Sequence, residues 1–344
     1  MTKRSSSITI RDVAQKAEVS VATVSRYINQ NAAISPAVVE RIEKVMLELN
    51  YVPHAAARHL ASRKTRDIGL LLTNMHNDFF GPLLSGIETV VRKKGYNLIV
   101  ATYNHITDGD SDQTPIGIHN SDGLLAFANS LSDNQLRKFY EKKFPIVLIH
   151  RTPPADLPIP YVTVENRDAT RRLTDHLIEV HGRRNIVFMQ GPDDQEDSRW
   201  REAGFHASLQ AHDLEIDPHL VLQGGFERDI AESAMREFIT SDHPDFDAVF
   251  AGDDDAAIGA LIALKDAGIR VPEEVSVAGF DDQKSSSFLN PPLTTVRAPT
   301  ELVGKAAGEN IFALLEGSPV DPVTLLPTDI IFRHSCGCPD ASLK

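Results

Sequence analysis

From Asp67 onward this 344-residue chain repeats one pattern, a run of four or five apolar residues followed by a longer amphipathic stretch. The runs at 68–72, 98–101, 124–127, 146–149, 186–189, 248–251 and 275–278 have the length and composition of buried strands. Strands that are apolar throughout are covered on both faces, so the sheets should be parallel and the intervening stretches crossover helices. Roughly 270 residues of this pattern are too many for one core and predict two doubly wound lobes. Ligands of such sheets bind beyond the carboxyl ends of the strands, which is where functional residues are expected. The polar segment 105–120 breaks the alternation and reads as a shortened or irregular crossover.

The first fifty residues follow a different rule. Thr9 with Asp12 has the spacing of a capping box, and Ile10, Val13, Ala14 and Ala17 then fall on one helical face. Ser20 can cap a second helix in which Val24 and Ile28 point inward while Val21, Ala22, Ser25 and Arg26 face out. Ser35-Pro36 opens a third, with Val38, Val39, Ile42, Val45, Met46 and Leu49 as its apolar stripe. A second helix that begins on a serine cap after a tight turn is the recognition element of a helix-turn-helix.

Charge supports that reading. The net charge of −13 looks wrong for a phosphate binder, but residues 1–66 hold 11 Lys or Arg against 5 acids, a balance of +6 that leaves −19 for the remainder. A basic end on an acidic body suits a protein that grips phosphate at that end and stays soluble elsewhere.

Other classes find little support. The two cysteines, Cys336 and Cys338, rule out a disulfide framework and point to a reducing cytosol. No apolar run nears the roughly 18 residues of a membrane span, and Met1 to Ser7 is polar, unlike a signal peptide. A cytoplasmic protein, neither inserted nor exported, is expected. No phosphate loop, nucleophile elbow, zinc-protease helix or dinucleotide fingerprint appears, so no enzyme and no cofactor is expected. A transport-type solute-binding protein would share the lobes, but it would need export and would lack the basic helical head.

The strings Thr9-Ile10-Arg11-Asp12-Val13-Ala14, Val19 to Arg26 and Leu49-Asn50-Tyr51-Val52-Pro53 strongly resemble the lactose repressor (LacI/GalR) family, and the likeness continues through nearly the whole chain. The resemblance implies an all-α helix-turn-helix domain plus an α/β periplasmic-binding-protein-like core of two doubly wound parallel-sheet lobes. It assigns 1–52 to the DNA-binding domain, 53–65 to a hinge helix and linker, 66–162 with 298–326 to one lobe, 163–297 with 327–338 to the other, and 339–344 to a tail. Val21 and Ala22 occupy base-discriminating positions and offer apolar contact, such as to a thymine methyl. Arg26 is placed either at a guanine edge or on a phosphate. Thr9, Ser20, Thr23 and Ser25 cap helices or touch phosphate. In the hinge, His54 stands where many relatives carry asparagine, and Ala57 and Leu60 hold the positions where paired hinge helices meet and a leucine wedges into the minor groove.

For the body, the resemblance implies a cleft closing on a small effector. Asn77-Asp78-Phe79-Phe80 matches a family loop in which Phe79 or Phe80 stacks on ligand or serves the core, with Asp78 free to cap the next helix. His150 and Arg151 end a strand either at a position that faces ligand in relatives or as a surface pair before the Pro153-Pro154 turn. In Asp197-Ser198-Arg199-Trp200-Arg201 the last arginine is placed on the effector, while Trp200 stacks on a sugar ring or packs between helices. Asp253 and Asp281 are placed against polar effector groups, with Asp254 as a helix cap. Such carboxylates favour sugars and polyols; a nucleoside, purine or other non-sugar metabolite is the alternative. The expected protein is a repressor of carbohydrate-utilisation genes, a homodimer or dimer of dimers on a pseudo-palindromic operator, released or, in the weaker reading, recruited by its effector. His334-Ser335-Cys336-Gly337-Cys338 crowds three soft ligands into five residues, but the favoured reading is a dispensable tail, and no metal is assigned.

Overall fold

The structure, a computed structural model, describes residues 8–29, 34–51, 64–109, 113–242 and 244–339. The chain divides into two compact units, Met1–Arg66 and Asp67–Lys344.

In the first unit, helices α1 (Ile10–Lys16), α2 (Val21–Asn29) and α3 (Pro36–Glu48) enclose Val13, Ala14, Ala17, Val24, Ile42, Val45 and Tyr51. Asp12 reaches back to accept the Thr9 N–H at 2.7 Å and hydroxyl at 2.8 Å, satisfying a donor that the first turn leaves free. The turn into α2 passes through Glu18 at φ +52°, and the Ser20 hydroxyl accepts the Thr23 N–H at 3.1 Å. Tyr27 donates to Glu43 at 2.7 Å and ties α2 to α3.

The second unit holds two six-stranded sheets. The first contains β1 (Asp67–Leu72), β2 (Asn97–Thr102), β3 (Gly123–Phe127), β4 (Ile146–Ile149), β5 (Tyr161–Val164) and the late strand Val323–Leu326, which becomes β11 in chain order. All its pairings are parallel, in the order β11-β5-β4-β3-β1-β2. The second contains β6 (Ile186–Gln190), β7 (Val221–Gln223), β8 (Ala248–Ala251), β9 (Ser276–Phe280), β10 (Thr294–Arg297) and β12 (Asp329–Ile331). Its order is β12-β10-β9-β8-β6-β7, parallel except for β12 against β10. The chain passes from one sheet to the other through 165–166, 298–299 and 327–328.

Helices cover the sheets as two-faced burial requires. The first lobe carries α4 (Phe80–Lys93), the single turn α5 (His105–Asp108) within the polar crossover, α6 (Asp133–Glu141) and, from late in the chain, Thr300–Glu316, numbered α11. The second carries α7 (Arg167–Glu179), α8 (Glu196–Ala211), α9 (Arg228–Thr240) and α10 (Asp254–Asp266). Paired helices approach through glycine. A Cβ on Gly86 of α4 would lie 2.1 Å from the Glu301 carbonyl oxygen of α11, and one on Gly204 of α8 would lie 2.1 Å from that of Arg167 in α7. Leu70, Leu71, Leu83, Ile87, Phe188, Phe205 and Phe250 are wholly buried, and side chains of this size contribute about 1.5–3 kcal/mol each.

Two expectations fail here. Asp78 is exposed and caps nothing, because α4 begins on Phe79 without a side-chain bond. Residues 334–338 are not a dispensable tail: Ser335 and Cys336 are fully buried, and the Ser335 hydroxyl donates to the Val277 carbonyl at 2.6 Å while accepting the Thr294 N–H at 2.8 Å.

Candidate functional site

On the head, Val24 is buried while Val21, Ala22 and Arg26 are exposed, so α2 presents one face to solvent with a bare valine at its start. Thr23 is tied to Ser20, hydroxyl to hydroxyl at 2.8 Å, and Ser25 is half-buried. Thr9 is engaged by Asp12. An exposed apolar side chain beside an extended cation is what a helix needs to meet base edges and phosphates together. His54, Ala57 and Leu60 lie outside the described residues.

In the second unit, a cavity of about 480 Å³ opens between the lobes, within the ~300–1,000 Å³ typical of small-molecule sites. It lies beyond the carboxyl ends of the strands. Thr73 and Asn74 follow β1, Asn104 follows β2, Asn129 follows β3, Phe226 follows β7, Asp253 follows β8 and Asp281 follows β9. Five non-glycine residues at these strand ends take positive φ: Ala128, His150, Phe226, Asp281 and Asp282. Such strain costs ~1–3 kcal/mol per residue and collects where a fold must aim side chains.

Arg201 organises the second-lobe wall. Its Nε donates to Asn166 Oδ1 at 2.9 Å, Nη1 to the Gly252 carbonyl at 2.6 Å and Nη2 to Asp281 Oδ1 at 3.2 Å. The guanidinium lies 3.7 Å from the centre of the Phe280 ring and 5.3 Å from that of Phe226. Three of the five N–H groups of an arginine are thus placed, and the fork still has donors for a ligand in the cavity it lines. Asn166 also donates to Asp197 Oδ1 at 2.8 Å, and His150 Nδ1 lies 2.7 Å from Asp197 Oδ2.

The carboxyl groups around this arginine are shifted in opposite directions. Burial, and then the neighbouring Asp281, raise Asp253 well above the usual range. Burial likewise pushes Asp281 up to about 6 despite Arg201. Burial would also raise Asp197, but His150, Arg201 and Asn166 hold it below its ordinary value. A neutral carboxyl both donates and accepts, a charged one only accepts, and a polyhydroxylated ligand can use both.

Asp253 is the cap of α10, accepting the Ala256 N–H at 2.8 Å, so the capping expected of Asp254 belongs to its neighbour. Asp254 is instead buried against β9 and β10, accepting from Gln283 N at 2.8 Å, Ser286 Oγ at 2.5 Å and Thr295 Oγ1 at 2.5 Å. Gly279 makes room for it: a Cβ there would lie 2.4 Å from Asp254 Oδ1. Burial pushes Asp254 up to about 7. Because its folded pKa is raised, its stabilising effect is complete below the ordinary carboxylate range and is lost as pH rises through about 7. Asp254→Asn keeps all three bonds, with the amide donating to the Thr295 hydroxyl. The variant should therefore gain stability relative to the parent between pH 6 and pH 8, read from urea midpoints; a difference independent of pH would refute the assignment.

Five of the sequence-derived effector residues line the cavity: Phe79, Phe80, Arg201, Asp253 and Asp281. Three do not. His150 is buried behind Asp197. Arg151 turns away to the Leu131 carbonyl and Asp133. Trp200 is 46% exposed and donates to Glu196 at 3.0 Å, because the residue before Arg201 on a helix points about 100° away from it. Asn166, Asp197, Phe226 and Phe280 went unread as parts of the site, their only sequence signal being their places just after strands, at a strand end or one turn from Arg201.

A helix-turn-helix head and a two-lobed body with an open polar cleft together define a ligand-responsive DNA-binding regulator. Residues 9–54 match the lacI family of bacterial regulatory proteins, and residues 174–336 match the periplasmic binding protein-like domain. The chain is 32% identical to the HTH-type transcriptional regulator CelR of Thermobifida fusca, over 95% of this chain and 98% of that protein. It is 33% identical to the HTH-type transcriptional repressor PurR of Aliivibrio salmonicida (strain LFI1238), over 88% and 90%. Among solved structures it resembles a CelR–cellobiose complex (TM-score 0.71, 31% identity, 95% of this chain and 99% of that one). It also resembles the lac repressor dimer bound to operator and the anti-inducer ONPF (TM-score 0.79, 25% identity, 96% and 99%). The chain belongs to the LacI family of bacterial regulatory proteins and is a helix-turn-helix transcriptional regulator, not an enzyme. Among the described residues no helix is long and apolar enough to cross a membrane.

Proposed function

We propose that this regulator is a cytoplasmic repressor that binds a pseudo-palindromic operator as a homodimer or dimer of dimers and responds to a sugar held in the cleft. The observation that carries the reading is Arg201 fixed among Asp197, Asp253 and Asp281 beside aromatic rings, a set of planar donors, mixed carboxyl acceptors and apolar faces that suits a sugar ring. The CelR–cellobiose complex and the operator-bound lac repressor support the same reading. In it, Thr9, Ser20, Val21, Ala22, Thr23, Ser25 and Arg26 meet the operator, residues 53–65 form the hinge with Leu60 as wedge, and Phe79, Phe80, Arg201, Asp253 and Asp281 hold the sugar.

The test is a thermal-shift screen of the full chain against mono- and disaccharides, sugar phosphates, nucleosides and purines. A ligand at a hundred times its Kd adds about 2.7 kcal/mol to the native state. A neutral sugar should raise Tm; a response confined to purines would sink the sugar reading. At the other end, Arg26→Ala should weaken specific binding by about 1–3 kcal/mol while changing random-DNA binding less. Equal losses on both would make Arg26 a phosphate contact.

A further inference from the structure

Outside the cleft, two pairs of residues distant in sequence converge. His176 lies in the last turn of α7 and His181 just beyond its end, while Cys336 and Cys338 follow β12. Their Nε2 and Sγ atoms all lie within 4.8 Å of one another. The two Nε2 atoms are 3.1 Å apart, Cys338 Sγ is 3.3 Å from His176 Nε2 and 3.4 Å from His181 Nε2, and Cys336 Sγ is 4.0 Å from His176 Nε2. We propose that these four residues form a structural zinc site that fastens the C-terminal segment to the end of helix α7.

The four ligand atoms are close enough together to share one ion. With Zn–N near 2.0–2.1 Å and Zn–S near 2.3 Å, tetrahedral ligands stand roughly 3.3–3.8 Å apart; four of the six separations are 3.1, 3.3, 3.4 and 4.0 Å and none exceeds 4.8 Å, so small side-chain adjustments bring all four atoms onto one ion. Two sulfurs and two imidazoles with no carboxylate select zinc over magnesium or calcium. Four protein ligands leave no open position, so the site is structural rather than catalytic. On binding Zn²⁺ the two thiols release their protons to solvent and the imidazoles ligate neutral, giving a centre of no net charge that tolerates partial burial.

The surroundings are shaped for it. Both thiols are free, and Cys336 is fully buried. Thr294 Oγ1 lies 3.1 Å from Cys336 Sγ, a donor for a thiolate, and the Phe332 ring packs 4.2 Å from that of His176. Gly337, between the cysteines, takes φ +108°, and a Cβ there would lie 3.0 Å from His181 Nδ1, so only glycine lets both sulfurs and the imidazole share the point. The centre would brace the cleft from behind. Helix α7 starts next to Asn166, which holds Arg201, and in the C-terminal segment Arg333 Nη2 donates to Asp282 Oδ1 at 2.6 Å, beside Asp281.

The test uses the full chain, purified under reducing conditions from zinc-supplemented cells, desalted and analysed for metal by mass spectrometry. About one zinc per chain is expected, falling below about a tenth in Cys338→Ser and in His181→Ala, and kept in His181→Cys, which restores a ligand. Cobalt exchanged into the site should show the visible bands of a tetrahedral thiolate complex, and a chelator should lower the Tm of the parent but not of Cys338→Ser. Zinc-free chain with both thiols open to a thiol reagent would overturn the proposal, as would a Cys336–Cys338 disulfide in that preparation or zinc retained by Cys338→Ser.

Discussion

Arg201→Ala should yield a regulator that still binds its operator but no longer answers its effector. The alanine removes the guanidinium that joins Asn166, Gly252 and Asp281 on the cavity wall. Truncating one partner of a buried, hydrogen-bonded charge pair costs about 2–5 kcal/mol of binding, so effector affinity should fall at least about thirtyfold. The fold should survive a loss of about 3 kcal/mol. Asp281, already pushed up to about 6, can take a proton instead of remaining a bare buried charge. The DNA-binding head should be unaffected, since it has its own core around Val13, Val24 and Ile42. Thermal shifts with the effector check the first part and operator titrations the second. A normal dose response in the variant would remove Arg201 from the binding site.

Gly204→Ala should damage stability and effector binding together. Its new methyl would lie 2.1 Å from the Arg167 carbonyl oxygen and 3.0 Å from Thr170 Cβ, and backbone cannot step aside as a side-chain tip can. Helices α7 and α8 must separate, at a cost of about 3 kcal/mol, and Tm should fall by roughly 6–12 °C. Because Asn166 precedes α7 and Arg201 lies one turn before Gly204, the same shift stretches the 2.9 Å bond between them and loosens the cleft. Gly81→Ala is the control: nothing lies within 4 Å of its Cβ position, so it should be neutral or slightly stabilising. A Gly204→Ala protein that melts with the parent would mean the helix pair is not locked by backbone contact.

How much of this was legible follows from what sequence periodicity can record. All seven apolar runs became strands, because a strand covered on both faces is apolar at every position. Tyr161–Val164, Val221–Gln223, Thr294–Arg297, Val323–Leu326 and Asp329–Ile331 went unread. They are three or four residues long, and three of them are sheet edges that are only partly buried, so no apolar run marks them. Arg201, Asp253 and Asp281 were legible through the family likeness. Their support was not, since Asn166 is 35 residues from Arg201 and nothing local announces the pairing. The same limit hid the second half of the metal-type cluster: the Cys-Gly-Cys run is visible in sequence, but its histidines arrive from helix α7, and the local His334 is exposed and stands apart.

In the proposed function, cleft occupancy and operator affinity are one linked equilibrium. It is tested most directly by titrating a fluorescent operator, selected from the source genome, with the full chain at fixed salt, with and without a saturating ligand from the thermal-shift screen. Operator Kd should change by about 5–150-fold, matched by an equal factor when ligand affinity is measured on operator-bound protein. Identical operator Kd values with the cleft filled and empty would contradict it.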